Sequence, residues 1–129
     1  MVIGYLLGTF DLLNVGDLDV LAQARLRCSH LVVGVHTDDA VAAVAGRPPV
    51  VPLNERLALL SHVRGVDQVV VHEQSATAAT ADVVLTVDGE GLLPAAEVLS
   101  PRRCSASATL RRALDPLTVD RGVRSEDVA

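Results

Sequence analysis

The chain contains no lysine: all eleven basic residues are arginine. Set against sixteen Asp and Glu, they leave a formal charge of −5, which argues against a nucleic-acid partner. The uniform use of arginine reads best as a GC-rich coding bias. Arginine also binds phosphate bidentately, so phosphate recognition stays open. Tryptophan is absent, and aromatics amount to 2% of the residues, so the core must be aliphatic. The two cysteines, Cys28 and Cys104, form no C-x-x-C pair and no disulfide framework, which points to a reducing, cytoplasmic setting. No apolar run approaches the roughly 18 residues of a membrane span, and the N-terminus shows neither a basic n-region nor a cleavage site. There is no internal repeat. At 129 residues the chain has room for one domain with a real core.

What the chain does have is a run of buried-type strands alternating with helical patterns. Residues 2–7 are apolar on both faces, as a buried parallel strand requires. The stretch LGTFDLLNVGD follows, ending at Asp17, where a helical pattern begins and continues to residue 27 with Leu18, Leu21, Ala22 and Arg25 at helical spacing. Residues 31–35, LVVGV, form a second strand. The segment His36-Thr37-Asp38-Asp39 supplies caps for a short helix over 40–44. Three prolines in 45–52 impose a loop. Asn54 is expected to cap the helix ERLALLSHV. Residues 68–71 and 83–87 are further strands, and 97–99 is a short edge strand. The stretch 75–81 is ambiguous. Gly89, Gly91 and Pro94 mark a loop, and 107–114 reads as a last helix. The domain is expected over 1–114, with a polar C-terminal tail over 115–129 that is poorly ordered or crosses to a partner.

Strands alternating with helices predict an α/β fold with a parallel sheet flanked by helices. Such sheets bind ligands beyond the carboxyl ends of their strands. The first loop suits that place. A strand, a glycine turn and a helix N-terminus together offer unpaired amides and a favourable dipole to an anion. The stretch is neither G-x-G-x-x-G nor a Walker A loop.

GTFDLL, followed by Gly16, resembles the first motif of the cytidylyltransferase-like nucleotidyltransferases, nearest to the glycerol-3-phosphate cytidylyltransferase branch. Where that family has H-x-G-H, this chain reads Asn14-Val15-Gly16-Asp17. The resemblance continues through Thr37-Asp38, Arg47-Pro48, Glu55-Arg56, the run Arg64-Gly65-Val66-Asp67-Gln68-Val69, and Asp88, which lacks the family's preceding glycine. It ends at Arg102, Ser107 and Thr109 of the last motif, where Ala108 replaces a hydroxyl. The family's lysine between the second strand and E-R is missing, and Arg47 is the basic residue that stands nearest its place.

The resemblance implies a single Rossmann-like nucleotidyltransferase domain, a homodimer. Its chemistry is attack of an alcohol phosphate on the α-phosphorus of CTP with Mg²⁺ present, yielding a CDP-alcohol and pyrophosphate. It implies that Asn14, Asp17 and Arg102 occupy the catalytic positions. Gly8, Thr9, Phe10, Asp11, Gly16, Arg47, Arg64, Asp88, Arg102, Ser107 and Thr109 would line the nucleotide. Loss of both histidines implies impaired catalysis, and a non-catalytic nucleotide-, phosphometabolite- or partner-binding protein is the alternative. No resident metal site is expected from the residues.

Asp17 decides much of this. A carboxylate about 4 Å from a phosphate charge costs roughly 4 kcal/mol at an effective dielectric near 20. One reading has the Asp17 carboxylate filling the anion site itself. A second makes it an ordinary capping residue, and a third pairs it with Asp11 on a divalent cation. Arg64, Arg102 and Arg103 clamp phosphates or lie solvated on the surface. Ser107 and Thr109 bind phosphate or cap a helix, and Asp88 contacts the nucleoside or shapes a turn. His36, at a strand's carboxyl end, is a substitute acid or donor, or else a satisfied or solvated histidine. His30, His62 and His72 read as surface residues without metal spacing.

Overall fold

The computed structural model describes residues 1–74, 77–88, 96–102 and 113–114. Five strands form one sheet: β1 Ile3–Gly8, β2 His30–Val35, β3 Gln68–Val71, β4 Val83–Val87 and β5 Glu97–Leu99. Their spatial order is β3-β2-β1-β4-β5, and every neighbouring pair is parallel. The helices are α1 Val15–Arg25, α2 Asp38–Ala45, α3 Leu53–Ser61 and α4 Thr77–Thr80, with a single 3-10 turn at His72–Gln74. The chain is thus one Rossmann-like α/β domain with β1 at the sheet's centre.

β1 is apolar on both faces because both are covered. Leu6 packs with Leu31, Val33 and Leu85 against Val20, Leu21 and Ala24 of α1 and Leu60 of α3. Tyr5, Leu7 and Val32 form a smaller cluster on the other face, with Val70, Ala78 and Ala81 packed on it.

Several boundaries differ from the sequence expectation. α1 begins at Val15, two residues before the expected start, because Asn14 caps it. α3 begins at Leu53 behind Pro52, and Asn54 lies inside its first turn instead of capping it. Leu53 and Leu57 pack against the core, and that burial draws the helix start forward. α2 starts at Asp38, with Thr37 Oγ1 accepting from the Ala40 amide at 3.1 Å. The expected loop around Gly89, Gly91 and Pro94, the helix over 107–114 save its last two residues, and the tail over 115–129 lie outside the described residues. Among the described residues no helix is long and apolar enough to cross a membrane.

Candidate active site

The first loop leaves β1 at Gly8 and enters α1 at Val15, on the carboxyl rim of the sheet. It contains two non-glycine residues in left-handed backbone, Phe10 at φ 55° and Leu12 at φ 54°. Such residues cost roughly 1–3 kcal/mol each and persist only where surroundings fix them. Two anchors do so here. The Phe10 ring is buried in the core cluster and packs so closely over Gly8 that a Cβ there would lie 2.7 Å from it. The buried Asp11 carboxylate accepts from the Val50 amide through Oδ2 and the Val51 amide through Oδ1, each at 2.8 Å. Asp11 therefore ties the first loop to the proline loop. Arg47 lies beside it, with Nη1 3.8 Å from Asp11 Oδ2 and donating to Pro48 O at 3.0 Å.

Arg56 is the second tie. Its side chain is fully buried, and its fork reaches three segments. Nε donates to Val51 O at 2.9 Å, Nη1 to Thr9 O at 2.8 Å and Nη2 to Asp38 Oδ1 at 2.7 Å. One guanidinium so joins the loops after β1 and β2 and the loop before α3. Sequence reasoning placed Arg56 in a motif without giving it a role. The signal was an arginine on the apolar face of α3, in line with Leu53, Leu57 and Leu60.

At the start of α1, Asn14 Oδ1 accepts from the amides of Gly16 at 2.9 Å and Asp17 at 3.4 Å. Asp17 Oδ2 accepts in return from the Asn14 amide at 3.2 Å and from Asn14 Nδ2 at 3.1 Å. This is a reciprocal capping box. The two first-turn amides that a phosphate would seek are therefore occupied by Asn14, and Asp17 takes part in the cap, the second of the readings that the sequence left open for it. Asp17 is buried beside this cap.

Asp88 and Arg102 close the other side of the rim. Asp88 follows β4, its amide donates to Leu99 O at 2.8 Å, and its Oδ2 accepts from Ser100 Oγ at 3.1 Å. Arg102 is drawn onto α1: its amide and its guanidinium both donate to Asp19, which Gln23 Nε2 also contacts at 3.0 Å. The Arg102 hydrogen bonds hold the Asp19 carboxyl well below the usual carboxylate range. Asp19 was not anticipated, because its partner lies 83 residues away.

Arg64 stands apart from this group. It lies between α3 and β3 at the amino-terminal rim, next to Gly65, whose carbonyl accepts from Arg25 at the far end of α1. Ser107, Thr109, Arg103 and Cys104 lie outside the described residues.

Two histidines depart from the sequence expectation, which put His72 on the surface and left His36 satisfied, solvated or a donor. His72 is half-buried, and its Nδ1 lies 2.7 Å from the Tyr5 hydroxyl. His36 is buried, and its Nε2 has no hydrogen-bonding partner among the described residues. Burial, with help from His72 and Arg56, lowers its pKa from 6.5 to about 4. Burial also lifts the Tyr5 phenol to about 12.

Among the described residues no three His, Cys, Asp or Glu side chains gather as a metal site. Both Asp11 oxygens accept from amides and Asp17 faces Asn14, so these carboxylates do not form a preassembled cation site.

The comparisons agree with this architecture. The cytidylyltransferase-like family model matches residues 5–115. The chain is 42% identical over 66 residues to an ethanolamine-phosphate cytidylyltransferase of Arabidopsis thaliana, covering 51% of this chain and 15% of that protein. It is 42% identical over 73 residues to the bifunctional protein HldE of Acidiphilium cryptum, covering 56% of this chain and 15% of that protein. The chain thus spans only about a seventh of the length of these curated relatives. Among solved structures, the lipopolysaccharide core biosynthesis protein from Thermoplasma volcanium shares the fold with a TM-score of 0.66 at 23% identity, over 81% of this chain and 99% of that one. On the family match, which covers most of its length, the chain belongs to the cytidylyltransferase-like family.

Proposed function

We propose that the chain binds a nucleoside triphosphate, CTP favoured, as its Mg²⁺ complex at the carboxyl rim and transfers the cytidylyl group to an alcohol phosphate. An oxygen of the acceptor's phosphate attacks the α-phosphorus. The bond to the β-phosphate's bridging oxygen breaks, and pyrophosphate leaves with the electron pair. The protein's part is positioning and charge neutralisation. The observation that carries this reading is the strained first loop, held by Asp11 and Arg56 and delivered to the N-terminus of α1 between Arg47 and Arg102. Turnover is slow, because Asn14 and Asp17 stand where the family motif has imidazoles. The protein works in the cytoplasm as a homodimer.

The capping box favours a second reading, a family member that binds a nucleotide or phosphometabolite without turning it over. Asn14 uses the amides that a transferring phosphate would need, and Asp19 holds Arg102. Pyrophosphate release with CTP or ATP and a panel of alcohol phosphates, beside thermal shifts with the same ligands, separates the two. Release supports transfer. A shift without release supports the binder, and neither overturns both.

A further inference from the structure

Three residues spaced one turn apart, Asp19 and Gln23 on α1 and Arg27 just past its end, each hold the chain from β5 onward. Arg27 pairs with Glu97, Gln23 Nε2 donates to Ser100 O at 2.8 Å, and Arg102 donates to Asp19. The partners run in opposite order along the two segments, so residues 97–102 lie antiparallel to α1 and are joined to it by a polar seam.

The seam divides at Leu99. That side chain is buried in the main core cluster and anchors β5 by apolar packing. Beyond it, Ser100, Pro101 and Arg102 are exposed and are tied down by hydrogen bonds. Those bonds converge on two residues of α1. Asp19 Oδ2 accepts from the Arg102 amide at 2.7 Å, from Arg102 Nε at 3.3 Å and from Gln23 Nε2 at 3.0 Å. Gln23 Nε2 shares its donors between Asp19 and Ser100 O, and Ser100 Oγ in turn donates to Asp88 Oδ2 at 3.1 Å. The rim residues that follow β4 and β5, Asp88 and Arg102, are thus engaged by one set of contacts.

Asp19 lies four residues into α1 from Val15, about 6 Å down the axis at the rise of a helix. The Arg102 guanidinium is therefore drawn back from the helix N-terminus by about one turn, a distance that a swing of its own side chain covers. Ion pairs this exposed are weak and are screened by salt. A polyphosphate carries several charges and accepts bidentately from a guanidinium, so it competes well against a single carboxylate. We propose that Asp19 and Gln23 form an autoinhibitory latch, which holds Ser100 to Arg102 against α1 in the free protein and which a polyphosphate opens by taking the Arg102 guanidinium from Asp19. The inference rests on the nucleotide-binding reading above and supplies a regulation of that same site.

The test follows the Arg102 Nε–H resonance in the whole protein, labelled with ¹⁵N-arginine, before and after CTP with Mg²⁺, beside calorimetry. CTP is expected to move that resonance from its position in the free protein. Gln23→Ala changes no charge, yet it should raise CTP affinity by about twofold to threefold, the size of effect that an exposed polar tie carries. Its gain should not add to that of Asp19→Asn, since either change opens the same latch. Bound CTP with the resonance unmoved, or Gln23→Ala binding CTP no better than the native sequence, overturns the latch and leaves the proposed function standing. If the native protein, Gln23→Ala and Asp19→Asn all fail to bind CTP, the latch and the proposed function fall together.

Discussion

Arg102 and Asp19 are joined three times: the guanidinium donates from Nη2 to Oδ1 at 2.9 Å and from Nε to Oδ2 at 3.3 Å, and the Arg102 backbone amide donates to Oδ2 at 2.7 Å. The Arg102 side chain is 69% exposed, whereas that of Asp19 is 9% exposed. The arginine implied to meet the triphosphate is therefore parked on a carboxylate of α1. Gln23 extends the tie through Ser100 O at 2.8 Å, and Ser100 reaches Asp88. The segment after β5 is thus laced to the helix whose N-terminus borders the cradle.

Releasing Arg102 should favour the nucleotide. Asp19→Asn keeps the shape of the side chain and removes its charge. Exposed ion pairs are weak, so CTP affinity should rise by about threefold at low salt, with the gain shrinking as salt screens it. Calorimetry at two ionic strengths checks this. A loss of affinity in Asp19→Asn would mean that Asp19 presents Arg102 to the phosphates.

The Asn14–Asp17 box should behave differently at its two ends. Asp17→Asn retains a capping partner and removes negative charge from beside the cap. CTP should then bind at least about tenfold more tightly, well within the roughly 4 kcal/mol that a charge at about 4 Å costs at intermediate dielectric. The double change Asn14→His with Asp17→His should bring pyrophosphate release with it. Asn14→Ala should lose about 1 kcal/mol of stability with the cap, measured by urea unfolding. Unchanged CTP affinity in both charge-removing variants would show that the carboxylate does not limit binding.

What could be read from the chain beforehand follows the range of the forces involved. The strands were legible because a parallel strand buried on both faces is a continuous apolar run, as in residues 3–8 and 30–35. The short β5 at Glu97–Leu99 was also expected. Helix starts were less legible. Asn14 with Asp17 three places on is itself a capping signature, yet the apolar spacing suggested a start at Asp17. The pairings of Asp19 with Arg102 and of Tyr5 with His72 depend on strand order and register, which no local pattern encodes. The need for glycine at Gly34 is of the same kind, since it comes from the Tyr5 ring lying over it.

Arg56 should be the most sensitive polar residue in the fold. Its removal strands the carbonyls of Thr9 and Val51 and leaves Asp38 without its cation. The Asp38 side chain is 45% exposed and its charge stays solvated, so the cost is chiefly that of the stranded carbonyls, about 1–3 kcal/mol each. Arg56→Met should lower the urea midpoint accordingly. Arg56→Lys should recover less than half of the loss, because an ammonium cannot span three acceptors in the guanidinium's plane. A near-neutral Arg56→Met would mean that the two loops are held in place chiefly by Asp11.

His36 should give the protein an acid-sensitive stability in a window of its own. Its folded pKa is about 4, against 6.5 for an unperturbed histidine, so below pH 6.5 the unfolded chain takes up a proton that the native state refuses. The unfolded state then binds more protons, and stability falls as pH drops from 6.5 toward 4, by on the order of 3 kcal/mol when the whole interval is crossed. Above pH 6.5 this contribution is fully present. The lowered carboxyls of Asp19 and Asp67 act in the same direction, but only near and below their ordinary value of 3.8. Urea unfolding at pH 7 and pH 4.5 should therefore differ strongly in the native sequence and only weakly in His36→Gln. If the loss between those two pH values survives the substitution, the proton is taken up elsewhere, and the neutral buried imidazole is not what makes the fold acid-sensitive.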